Sequence, residues 1–183
     1  MSIAELTRPA TQAATHDTGT TGHQVVVFPS RLVRSVPSFV FTTPAGWVVD
    51  EAPGAVLAVR AEAAVDDFWS NALLMHDRVA RAVDLQAAAT ASWGRLAADA
   101  PSAHVRMERV AKFGDNVVYL RGVELDAAQS GRRLAQLHAL FLAPAPADSK
   151  TSDLFQFVAT STADQMGAVG QLFVDMVATF RFT

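Results

Sequence analysis

Five histidines, His16, His23, His76, His104 and His138, are the first residues to ask for chemistry. Histidine is the commonest metal ligand and titrates near neutrality, so a cluster of them points to a metal or to proton transfer. Here no H-x-x-x-H or H-E-x-x-H pairing exists. His76 is followed by Asp77, but neighbours on a strand point to opposite faces, so the two do not form a pair. Structural or surface roles are expected for the histidines. The acids come as Asp50-Glu51 and Asp66-Asp67. Paired catalytic carboxylates must face one another across a cleft, whereas neighbours in a turn face water. There is no G-x-S-x-G elbow, no Walker loop and no G-x-G-x-x-G fingerprint. Gly167 and Gly170 lie inside a predicted helix rather than at its start, which suits close packing and not phosphate binding. No catalytic residue, metal ligand or cofactor is therefore expected, and the chain reads as a non-enzyme.

Residues suited to contact are easier to find. Trp69 sits in the polar stretch "DDFWSN", where it has no periodic apolar partner. It is a candidate partner contact, since tryptophan and arginine dominate interface energetics; core packing is the plainer reading of the same side chain. Arg132 and Arg133 follow a Ser-Gly turn. They could clamp an anionic partner, or guard a strand end.

Composition narrows the partner. The 183 residues are 50% hydrophobic and 18% charged, an ordinary globular balance, with a formal net charge of −3. Nothing is basic enough to track a phosphate backbone, so nucleic acid is not expected. There is no cysteine, which excludes disulfides, thiol nucleophiles and cysteine metal sites. Apolar runs fall short of a membrane-spanning helix, so no membrane insertion is expected. The N-terminus lacks the basic start and apolar centre of a secretory signal, and no cysteine is available for lipid modification, so a cytoplasmic location is expected.

The elements that must position these residues read mostly as strands. Residues 1–23 are rich in Thr, Ala and Gly and are expected to be a flexible tail; a single domain spans 24–183, beginning with "QVVVFPS". "SVPSFVFT" is a strand with Pro37 marking an edge. "GWVVDEAPGAVLAVRA" is a strand, a turn and a strand, with Pro53-Gly54 forming a type II turn and Trp47 facing the core. "NALLMHDRV" is a short strand. "AVDLQAAATASWGRLAADA" changes to helical period, with Leu85, Ala89, Trp93 and Leu96 on one face. "HVRMERVAKF" and "VVYLRGVEL" flank a Gly-Asp-Asn hairpin signal, and "RRLAQLHALFLA" and "DLFQFVATS" follow as strands. Phe155, Phe157 and Ala159 share a face of the last strand. "TADQMGAVGQLFVDMVATF" is a helix, with Thr162 and Gln165 as a predicted capping box and Met166, Val169, Phe173, Val177 and Phe180 as its buried stripe. The order β-β-β-β-α-β-β-β-β-α predicts an α+β domain, an antiparallel β-sheet packed with two main helices.

The "FTTPAGWVVDE" entry, the "NALLMHDRV" strand, the Ala-rich "DLQAAATAS" helix, "GRRLAQLHALFLA" and the ending "LFQFVATSTADQMGAVGQLFVDMVATFRF" resemble the actinobacterial LpqN/LpqT family. The likeness runs from about Phe39 to Phe182. That family's fold is similar to those of the photosystem protein PsbP and a Ran-binding nuclear-import protein. The resemblance implies an α/β/α sandwich of PsbP-like type and a binding or assembly role. It supplies no catalytic residues. A protein-interaction module with an unidentified protein partner is the expectation, and a carrier with an apolar cavity between sheet and helix is the alternative.

Overall fold

A computed structural model describes Pro29 and residues 34–183, and the chain divides into units Met1–Ser35 and Val36–Thr183. The tail expected over residues 1–23 and the strand expected at "QVVVFPS", apart from Pro29, lie outside the described residues.

The second unit runs β1 (Phe39–Val40), β2 (Trp47–Asp50), β3 (Leu57–Ala61), β4 (Asn71–Ala80), α1 (Leu85–Asp99), β5 (His104–Phe113), β6 (Asn116–Asp126), β7 (Arg133–Leu142), β8 (Thr151–Thr162), α2 (Met166–Thr179) and β9 (Arg181–Phe182). Seven strands form one antiparallel sheet in the order β2-β3-β4-β8-β7-β6-β5, and β1 pairs β9 beside it. Two turns follow from local chemistry. Ala55 N–H bonds Ala52 C=O around Pro53-Gly54, and Gly54 takes the φ of +77° that a type II turn demands. Gly114 at φ +59° opens the two-residue β5–β6 hairpin, whose closing pair is Phe113 and Asn116.

The helices cover opposite faces of the sheet. α2 lays Phe173, Met176 and Val177 on Leu74, Leu120, Phe141, Phe155 and Phe157. β1, the end of α2 and β9 add Phe39, Phe41, Phe180 and Phe182, whose rings meet Phe141, Phe155 and Phe157 edge-to-face or tilted, while Phe39 and Phe41 stack on Phe180. Each fully buried Phe contributes about 1.5–3 kcal/mol through lost water contact. On the other face α1 sets Ala88 and Ala89 against Tyr119, Leu140 and Leu154. The α+β domain expected from the element order, and the α/β/α sandwich that the resemblance implies, are the fold observed.

Two local expectations change. The α1 face that is buried is Ala88, Ala89 and Ser92, while Trp93 is only half-buried, over the Arg121 guanidinium. Long polar side chains rise from the sheet below, so only small helix residues approach it closely. Thr162 does not cap α2. It ends β8, paired with Leu134, and Gln165 takes the N-cap place with no side-chain cap bond. The Thr-x-x-Gln spacing falls across a strand end, and the extended ladder holds Thr162 out of cap position. Asp84 caps α1, accepting from Ala87 N–H at 2.7 Å.

Candidate partner-contact site

The residues before β4 make a second, smaller hairpin. Val65 and Phe68 exchange both backbone hydrogen bonds, at 3.0 and 3.1 Å, around Asp66 and Asp67. Both aspartates have positive φ, 52° and 57°, which is the type I′ geometry. Aspartate tolerates the left-handed region better than most residues, but two in succession are strained. Such a turn persists only when its surroundings hold it. Here Arg132 Nη1 donates to Asp66 C=O at 2.6 Å with its guanidinium over the Phe68 ring. From the start of α2, Gln165 donates to Val65 C=O at 3.1 Å. Asn71 donates to Trp69 C=O at 2.9 Å, and Ser70 bonds buried Ser161 at 2.8 Å.

On this braced turn stand Val65, 53% exposed, and Trp69, 47% exposed. Trp69 is thus on the surface and not in the core. The structure brings Trp69 and Arg132 to one loop cluster. It sends Arg133 elsewhere, to Glu124, whose Oε2 accepts from both Nη2 and Nε at 2.9 and 3.2 Å. Arg106 donates to the same carboxylate at 2.9 Å, and His104 lies 3.5 Å from it. Burial works against the Glu124 charge, but the bonds from Arg106 and Arg133 outweigh it and hold its pKa below the usual range.

The remaining histidines sit apart. His76 Nε2 donates to Asp153 at 3.0 Å, beside Arg78 at 3.1 Å, with the Asp153 side chain 1% exposed. His76 and His104 therefore reach different carboxylates. Among the described residues no three His, Cys, Asp or Glu side chains are grouped to hold a metal. His138 is buried under α1 in a chain of polar side chains. Its Nε2 donates to the Gln136 amide oxygen at 2.9 Å, and its Nδ1 accepts from Gln156 at 3.2 Å. Gln156 continues to Ser92, and Gln136 to Thr160. The amide oxygen can only accept and the amide nitrogen can only donate, so the ring is fixed as the neutral Nε2–H tautomer. Burial, then the charge of Arg121 on the adjacent strand, pushes its pKa down to about 4. Arg121 itself is 4% exposed and is held by Glu108, Tyr119 and the Ala89 carbonyl. Its hydrogen bond lowers the Glu108 pKa, against the opposing effect of burial.

Sequence reading missed Arg121 and Asp153. Each is a charge in an apolar strand run, which is the signal that could have found them. The phenylalanines fill the α2 side of the sheet. A concavity of about 130 Å³ lies between Thr42–Pro44 and α2, below the roughly 300 Å³ of ordinary ligand pockets, and a larger open one of about 550 Å³ lies at the β2–β3 turn, lined by Glu51, Ala52, Pro53, Ala55 and Val56. No described helix is long and apolar enough to cross a membrane.

No protein-family model matches the sequence, and no curated protein matches it. Solved structures do. LpqN of Mycobacterium tuberculosis, described as involved in cell envelope biogenesis, superposes with a TM-score of 0.66 over 80% of this chain and 84% of that one, at 12% identity. The fold is shared with LpqN. Cyanobacterial PsbP from Synechocystis follows, with TM-score 0.55, 16% identity and coverage of 79% and 86%. The Saccharomyces cerevisiae Ran-binding protein Mog1p matches with TM-score 0.52, 16% identity and coverage of 79% and 89%. At these identities the likeness to LpqN, PsbP and Mog1p is one of fold.

Proposed function

We propose that this chain is a non-enzymatic binding module, distantly related to the LpqN/LpqT proteins, whose protein partner docks on the Val65–Trp69 turn. The observation that carries this is a half-exposed tryptophan on a strained, multiply braced turn. A large aromatic ring gains most from burial against a partner. A turn already fixed by Arg132 and Gln165 loses little conformational entropy when it docks. Mog1p, which shares the fold, is itself named a Ran-binding protein. Asp66, Asp67 and Arg132 around the ring supply the polar rim that sets orientation.

The test is a cross-linking amino acid placed at position 69, which identifies the partner, followed by affinity measurements with purified proteins. Trp69→Ala is expected to weaken binding by about 30-fold, roughly 2 kcal/mol, with the thermal midpoint shifted by no more than about 2 °C. Arg132→Ala is expected to weaken binding by loosening the turn. Unchanged affinity in Trp69→Ala, or a histidine-dependent turnover by the purified protein, sinks the proposal.

A further inference from the structure

We propose that β5 is the seam of a two-fold dimer in which two copies of this chain pair their β5 strands antiparallel about Val110, joining two sheets into one. β5 is an edge of the seven-stranded sheet and runs ten residues, whereas β2 at the other edge has four. Short edges protect themselves; a long one offers a row of unpaired backbone groups. Among the described residues β5 pairs only with β6.

The register follows from the hairpin. In a two-residue turn the closing residues, Phe113 and Asn116, exchange both backbone bonds, and bonded pairs alternate from there. The N–H and C=O groups of Glu108, Val110 and Lys112 therefore face away from β6. A second β5 must present outward groups to outward groups, which leaves few registers. Centring the two-fold on Val110 sets Val110 against Val110 and Glu108 against Lys112, twice. Centring it on Arg109 sets arginine against arginine, and one residue earlier sets Glu108 against Glu108. Like charges directly opposite are destabilising, and opposite charges support the pair.

The side chains suit this register. Val110 is 61% exposed, with Val117 also exposed beside it on β6. Lys112 is exposed and makes no ion pair among the described residues. Glu108 holds Arg121 yet keeps 43% of its side chain exposed. The irregularity between Val105 and Met107 ends the straight stretch of edge. This inference uses a surface separate from the Trp69 turn and does not depend on its role.

Sedimentation equilibrium of the full chain, from about 1 to 200 µM, tests it: a dimer with Kd below about 50 µM is expected. Val110→Pro removes an N–H that faces away from β6, so the monomer should keep its fold while the dimer weakens by at least about 10-fold. Lys112→Glu should weaken it similarly, and an equimolar mixture of Glu108→Lys and Lys112→Glu proteins should recover to within about 3-fold, because both cross-pairs become attractive. The chain has no cysteine, so Val110→Cys introduces one thiol. At the dyad the two Cα atoms would sit about 5.5 Å apart, within disulfide reach. Oxidation should cross-link it much faster than Val49→Cys on the β2 edge. Should Glu108→Lys fail to fold, Lys112→Glu and the cysteine pair still decide. A monomer throughout the range, a dimer indifferent to Val110→Pro, or equal cross-linking at positions 110 and 49 overturns the proposal.

Discussion

The two faces of the central sheet are built on opposite principles. Under α2, β8 turns Phe155, Phe157 and Ala159 into a dry phenylalanine cluster. Under α1, the alternate residues of the same strands carry Gln156, His138, Gln136 and Thr160, joined end to end by hydrogen bonds, with Arg121 beside them held by Glu108, Tyr119 and the Ala89 carbonyl. One face is held by shape and exclusion of water. The other is held by satisfying every donor and acceptor, and no buried side-chain polar atom among the described residues is left without a partner. The first suffers from lost volume, and among the described residues of the β4–β8 pair its only charged part is the His76, Arg78 and Asp153 group at the end of the cluster. The second tolerates little change of charge.

The largest effect should come from the dry face. Phe155→Ala removes a fully buried ring and is expected to lower unfolding free energy by about 3–5 kcal/mol in urea denaturation. A loss below about 1 kcal/mol would show that the cluster repacks freely.

The next effect belongs to the wet face and is a pH effect. An unfolded histidine titrates near 6.5, and His138 when folded near about 4. Between these values the unfolded chain takes up a proton that the folded chain refuses. The stability is complete above pH 6.5 and is lost as pH falls towards 4, by about 3 kcal/mol in all. Subtracting the stability profile of His138→Gln from that of the parent should isolate this slope. A flat difference would mean that the ring charges in place.

Arg121→Met comes third. It removes the hydrogen bonds that Arg121 gives the Ala89 carbonyl, Tyr119 and Glu108, and should destabilise by about 2–3 kcal/mol. If the variant matches the parent, the polar layer is replaceable by apolar packing. Trp93→Ala is the smallest, about 1–2 kcal/mol, since the ring is half-buried and its main contact is the Arg121 guanidinium. The Arg121→Met background should absorb much of that loss, and additivity of the two would separate them.

The dry face was largely legible in the sequence, and the wet one was not. Period-two alternation in "DLFQFVATS" and the helical stripe through Phe173 and Val177 are local signals, and both point to the face observed. Trp93 has the right helical spacing for burial, but spacing cannot say that long polar side chains stand beneath it. Nor can it say that Thr162 is already committed to a ladder with Leu134 when the capping pattern asks for it. Asp153 and Arg121 depend on partners supplied by other strands, and no local period encodes those. Trp69 was legible as a residue without a periodic place; its exposure comes from the turn at Asp66-Asp67, whose two left-handed aspartates carry no Asn-Gly signature.

The place of β8 has a consequence in time. It lies in the middle of the sheet, between β4 and β7, yet it is the last long strand to be synthesised. His76 on β4 waits for Asp153, 77 residues later in the chain. At ribosomal rates of 5–20 residues per second, that interval is on the order of 4–15 s. Through it β4 carries Leu73, Leu74 and Met75 with no neighbour on one side. Pairing at such sequence separation is slow to nucleate even when the whole chain is present. The nascent protein is therefore most exposed to misassociation just before its centre arrives, and the emerging β4 edge is where a chaperone would be needed.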